Sequence, residues 1–143
     1  MILDDFSLGL DPGYRRLFVD YLRDYARSEN KTVFLTSHII QDMERLIDDC
    51  IIMDYGSILI QQPIETLMKG LRKYTCTVPE GYQPQLPVTC YHPAVIRQTL
   101  ETYSFLPPSD VEGLLKENQV PFTGLQHENV GLEDAFIGLT GKY

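Results

Sequence analysis

Cysteine is scarce in this chain and scattered where it occurs: Cys50, Cys76 and Cys90, with no CxxC among them. An odd set at such spacing argues against a disulfide framework and reads as reduced thiols of a cytosolic protein. Cys90 and His92, with His127 further on, lack a fourth partner at ligand spacing, so no zinc-type site is expected from them. No run of lysine and arginine occurs, which removes the electrostatic footprint of a nucleic-acid surface. No apolar run reaches the roughly 18 residues of a membrane span. Internal repeats and low-complexity tracts are also missing, which sets aside solenoids and disordered linkers.

What remains is an ordinary globular composition. The 143 residues are 43% hydrophobic and 22% charged, enough for one domain or two small ones. Twenty acidic residues against twelve basic ones leave a net charge of −8. That acidity favours solubility and specifies no partner.

Periodicity gives an order of elements. Ile2 and Leu3 read as the end of a buried strand. Past the Pro12-Gly13 turn, Tyr14, Leu17, Phe18, Tyr21, Leu22 and Tyr25 form the stripe of an amphipathic helix, with Arg15, Arg16, Arg23 and Asp24 opposite. "TVFLTSH" is a short β-forming run, expected as a strand buried on both faces. A second helix carrying Ile40, Met43 and Ile47 is expected next, then a hairpin of "CIIMD" and "SILIQ" turning at Tyr55-Gly56. "QPIETLMKG" reads as a helix entered at Pro63 and left at Gly70. This alternation predicts a parallel-sheet α/β unit with an antiparallel hairpin at its edge.

Prolines crowd the sequence beyond Gly70, at Pro79, Pro84, Pro87, Pro93, Pro107, Pro108 and Pro121. Between them the pattern predicts strands at 74–78 and 88–91 and a helix over 93–103. A helix capped by Ser109, a strand at 120–126 and a last helix in "LEDAFIGLTG" complete a small α+β module. His127, Glu128 and Asn129 read as an exposed turn, and Tyr74, Tyr82, Tyr91 and Tyr103 as core and rim. The expected division is therefore residues 1–70 and 71–143.

The chemistry lies in "ILDDFSLGLDP". Two carboxylates at the carboxyl end of a buried strand sit where α/β folds bind ligands. Asp4 suits a magnesium ion, which prefers hard oxygen donors, and Asp5, pointing the other way, could polarise a water. The plain alternative is that both cap the following turn. "TVFLTSH" ends in His38, and adjacent parallel strands bring His38 to the same rim, where a histidine facing two carboxylates suits a γ-phosphate contact.

On these residues the chain resembles the ATP-binding subunits of ABC transporters. "ILDDFSLGLDP" is similar to their Walker B segment and D-loop, and "TVFLTSH" with "QDMERLIDDCIIMDYGSIL" to their H-loop strand and its sequel. "LEDAFIGLTG" resembles the ending of the drug-export, ABC-2-type group. The resemblance implies a partial P-loop NTPase fold over residues 1–70 and an accessory region over 71–143. It makes Asp4 the magnesium ligand, Asp5 the catalytic carboxylate and His38 the switch histidine. Gly9, Leu10 and Asp11 become the D-loop that meets a second ATP-binding subunit, head to tail. It further implies ATP and magnesium as cofactors, transmembrane permease subunits as partners, and a cytoplasmic place at the inner face of the membrane. The family usually carries glutamate where this chain has Asp5, and proline where it has Phe6.

No GxxxxGK[ST] and no LSGGQ-like segment occurs, and the single Gly-Lys pair is Gly141-Lys142 at the far end. The chain is thus expected to hold one half of a phosphate site, the other half preceding Met1. Alone it is expected not to bind ATP, and to self-associate through an unpaired strand edge. Two other readings stand beside this one. The first is a non-enzymatic regulatory or dimerisation module worked by residues 71–143. The second is a non-transport ABC ATPase, from which the coiled-coil insertions and basic surfaces of the DNA-repair type are missing.

Overall fold

The structure, a computed structural model, describes residues 1–41 and 43–141. Lys142 of the Gly141-Lys142 pair and Asp42 of the expected second helix lie outside the described residues. The chain divides into two compact units, Met1–Asp48 and the residues from Asp49 onward. The hairpin around Tyr55-Gly56 and the helix after Pro63 thereby group with the later residues.

In the first unit, strand β1 (Ile2–Leu3) pairs in parallel with β2 (Phe34–Leu35), in register Ile2 to Phe34 and Leu3 to Leu35. Between them runs helix α1 (Pro12–Ser28). Its start follows from side-chain chemistry: Asp11 accepts hydrogen bonds from the Gly13 and Tyr14 amides at 3.0 and 3.1 Å, and Pro12 occupies the first helical position. Asn30 ends it at φ +49. Only Val19 and Leu22 of α1 are buried, whereas Tyr14, Leu17 and Tyr21 stand two-thirds exposed. Phe34 is likewise exposed, so the expected strand buried on both faces is instead a two-residue ladder with an open face. The expected second helix shrinks to one 3-10 turn at Met43–Arg45. An isolated short helix gains too few bonds to offset its nucleation.

The second unit opens with β3 (Asp49–Asp54) and β4 (Ser57–Pro63), an antiparallel pair. Tyr55 and Gly56 both take positive φ, +45 and +77, as a type I′ two-residue turn requires. This hairpin is a two-stranded sheet of its own. Parallel pairing among the described residues is confined to β1 and β2, and the fold is α/β with mixed sheets.

Helix α2 (Ile64–Gly70) leads into a four-stranded antiparallel sheet of β5 (Arg72–Thr77), β6 (Tyr91–Ile96), β7 (Thr99–Ser104) and β8 (Thr123–Asn129), ordered β6-β7-β5-β8. Three expectations are corrected here. Residues 93–103 form the β6–β7 hairpin and not a helix, turning at Arg97, which takes φ +59. Residues 88–90 precede the strand that begins at Tyr91. His127, Glu128 and Asn129 belong to β8, paired with β5, because Arg72, Lys73 and Tyr74 stand opposite them.

Helix α3 (Pro108–Glu117) closes one face of this sheet, with Val111 and Leu115 against Tyr74, Cys76, Val78 and Leu100. Ser109 does not cap α3: Pro107 holds that place, without a side-chain bond. On β7, Leu100, Thr102 and Ser104 alternate inward. The two hydroxyls are satisfied by the Tyr91 and Thr89 carbonyls at 3.0 and 2.7 Å, so their burial carries no unpaired polar group.

Helix α4 (Leu132–Thr140) packs on β6 and β7. Gly138 lies so close to the Tyr103 ring that a methyl group there would stand 2.4 Å from it. Gly141 ends α4 at φ +68, its amide bonded to the Ile137 carbonyl at 2.8 Å, a left-handed cap that glycine takes without strain.

Candidate functional site

The rim at the carboxyl ends of β1 and β2 carries the polar side chains. The Phe34 amide donates to the Met1 carbonyl and the Thr36 amide to the Leu3 carbonyl, each at 2.9 Å. That parallel ladder sets Asp4 and Asp5 beside residues 36–38. His38 Nδ1 lies 2.9 Å from Asp5 Oδ1; a carboxylate oxygen accepts, so Nδ1 donates and Nε2 is the ring's remaining polar atom. Asp5 is half-buried at φ +44, a left-handed conformation that aspartate tolerates better than most residues. Asp4 is exposed, and one of its carboxylate oxygens accepts from the Thr36 hydroxyl.

Beyond Asp5 the chain turns. The Leu8 amide bonds to the Asp5 carbonyl at 3.1 Å and the Leu10 amide to the Ser7 carbonyl at 3.3 Å. Gly9 sits at φ +83, and Leu8 stands exposed at the tip. Phe6 anchors the turn on α1 through Phe18, with ring centroids 5.3 Å apart. Leu10 offers its carbonyl to Arg15 at 3.3 Å. Asp4, Asp5 and His38 are thus gathered at one rim. Gly9 and Leu10 lie in the turn that leaves it, and Asp11 is committed to capping α1.

Comparison with known proteins places this rim in context. No family model matches the chain. The chain is 31% identical to the Nod factor export ATP-binding protein I of Ralstonia nicotianae, in a match taking in 99% of this chain and 46% of that protein. The protein of the same name from Burkholderia orbicola is 28% identical, over 99% of this chain and 47% of its own length. The bacitracin transport ATP-binding protein BcrA of Bacillus licheniformis is 35% identical over 52% of this chain and 24% of that protein.

The chain is a homologue of ABC transporter ATP-binding proteins. It spans about half the length of the curated relatives it matches.

Beside the motifs by which an ABC ATP-binding protein is known, three hydroxyls escaped the sequence reading. Thr36 touches both aspartates: it accepts from the Asp5 amide at 3.0 Å and donates to Asp4. Ser37 bonds the Ile39 amide at 3.0 Å and lies 3.2 Å from the hydroxyl of Ser7, which is fully buried. The available signal was a hydroxyl pair directly before His38, which reads as an ordinary polar strand end until the partner strand is known.

Proposed function

We propose that this chain is the part of an ABC transporter ATP-binding subunit that carries the Walker B segment, D-loop and H-loop, in residues 1–70. Residues 71–143 are its accessory module. In the complete subunit this rim takes part in binding and hydrolysing ATP, and the hydrolysis powers export. One observation carries the reading: Asp5 and His38, 33 residues apart in sequence, meet at 2.9 Å beside Asp4, at the carboxyl end of a parallel strand pair.

The donor set fits magnesium. Asp4 presents an exposed carboxylate with one oxygen bonded to Thr36 and the other open, and magnesium takes one or two carboxylates together with waters and phosphate oxygens. The ion, when bound, neutralises phosphate charge during transfer. Asp5 orients and polarises the attacking water. His38, its Nδ1–H donating to Asp5, donates to the γ-phosphate from Nε2 when the ring carries both hydrogens. The residues do not fit a whole nucleotide, since no glycine-rich loop of backbone amides is present in the sequence to cradle the phosphates. Gly9, Leu10 and Asp11 face a second ATP-binding subunit. Permease subunits hold the pair at the inner face of the membrane. No helix among the described residues is long and apolar enough to cross a membrane itself.

The test is to read the gene in frame upstream of the Met1 codon. The proposal expects a GxxxxGK[ST] followed by an LSGGQ-like segment. A stop codon close upstream contradicts it and turns the search to a separate partner that supplies the phosphate loop.

A further inference from the structure

We propose that Thr36 is a positioning residue that sets the direction in which Asp4 and Asp5 are presented to a metal–phosphate ligand. Its use in catalysis rests on the function proposed above; its geometry does not. A hydroxyl has one hydrogen and two lone pairs. Thr36 gives the hydrogen to Asp4 Oδ1 and fills one lone pair with the Asp5 amide, at 3.0 Å. Its own amide is tied to the Leu3 carbonyl at 2.9 Å, so the hydroxyl is held by the same ladder that delivers the two aspartates.

Each bond has a separate consequence. The bond to Asp4 orients the carboxylate and leaves its other oxygen for a cation, as groups behind a metal ligand commonly do. The bond from Asp5 holds a non-glycine residue at φ +44, and from that backbone the Asp5 side chain reaches His38. Asp4, Thr36, Asp5 and His38 are therefore one continuous chain of hydrogen bonds. Asp4, Thr36 and His38 are exposed and Asp5 is half-buried, so water competes and the bonds add little stability. What they supply is direction. Ser37 grips the far side of the same turn through Ser7, so neighbouring hydroxyls hold both ends of the stretch from Asp4 to Ser7.

Amide hydrogen exchange on the full chain tests this, with Thr36→Val, which keeps the shape and removes the hydroxyl, and Thr36→Ser, which keeps the hydroxyl. The Asp5 amide is expected to exchange about tenfold faster in Thr36→Val and to return to within about threefold of the parent in Thr36→Ser. The ladder amides of Phe34 and Thr36 are expected to stay as they were. Unchanged Asp5 exchange in Thr36→Val overturns the proposal, as does equal acceleration of the ladder amides or failure of serine to restore protection. Should Thr36→Val not fold, Thr36→Ala serves as the hydroxyl-free variant.

Manganese ions provide the second readout, through paramagnetic broadening of signals around Asp4. Broadening in the parent and Thr36→Ser, several-fold weaker in Thr36→Val, supports the positioning role; equal broadening in all three overturns it. No broadening in any variant, with the exchange pattern intact, overturns the magnesium reading of Asp4 and leaves the hydroxyl's hold on Asp5 standing.

Discussion

The two units solve the burial problem differently. The unit from Asp49 onward has a sheet with helices packed on it, and Tyr74, Leu100, Val111 and Leu115 are at most 1% exposed. The first unit buries only Val19, Leu22 and Met43 among its apolar side chains, while Ile2, Leu8, Tyr14, Leu17, Tyr21 and Phe34 face solvent. Around Asp4, Asp5 and His38 it is held by backbone and hydroxyl hydrogen bonds. The site therefore sits on the unit with the thinner core. An exposed apolar stripe such as that of α1 marks a surface suited to contact.

The largest effect expected from breaking this contrast is in the second unit. Leu115→Ala removes a side chain 1% exposed and should cost about 2–5 kcal/mol, seen as a drop in the denaturant midpoint of the second unit's amides. Next comes Gly138→Ala. Its methyl would meet the Tyr103 ring at 2.4 Å, so α4 or the ring must shift, at about 1–3 kcal/mol by thermal unfolding.

Alkaline pH should act on the same unit. Burial raises the Cys50, Cys76 and Cys90 thiols above their ordinary value, and burial likewise raises Tyr74. Lys73 is raised above the ordinary lysine value, chiefly by its bond to Glu101. Each of these groups binds its proton more tightly folded than unfolded, so the stability is present below the unfolded values and lost as pH rises through the folded ones. Melting followed from pH 8 to 11 should show declining stability; a rise over that window contradicts the assignment.

Smaller effects belong to the first unit. Asp11→Ala removes the cap of α1 and should cost about 1 kcal/mol, read from the helix signal on urea titration. Leu17→Glu, at a position 66% exposed, should change stability by less than about 0.5 kcal/mol while weakening self-association in sedimentation. A large loss of stability instead would mean that Leu17 is buried.

Much of this was legible in the residues, and the misses have physical reasons. The Tyr55-Gly56 hairpin was readable because the turn needs two positive φ angles and glycine marks one of them. The β6–β7 hairpin was not, because its turn places Arg97 at positive φ without glycine or asparagine to announce it. Its inward positions also include Thr102 and Ser104, which hide the two-residue period. The stripe on α1 told that Tyr14, Leu17 and Tyr21 share a face and could not tell what covers it. At the rim, Asp4, Asp5 and His38 were identified from their places at strand ends. Thr36 was missed because its role exists only once β1 and β2 are paired.

As proposed above, this rim forms one side of a magnesium–phosphate site and lacks the cradle for a nucleotide. Calorimetric titration of Mg-ATP into the 143-residue chain, beside the same chain extended in frame to include a GxxxxGK[ST] segment, tests it most directly. Binding no tighter than about 1 mM is expected of the chain alone, and micromolar binding, weakened by Asp4→Ala and His38→Ala, of the extended protein. Micromolar binding by the chain alone, or by the extended protein regardless of Asp4 and His38, would contradict it.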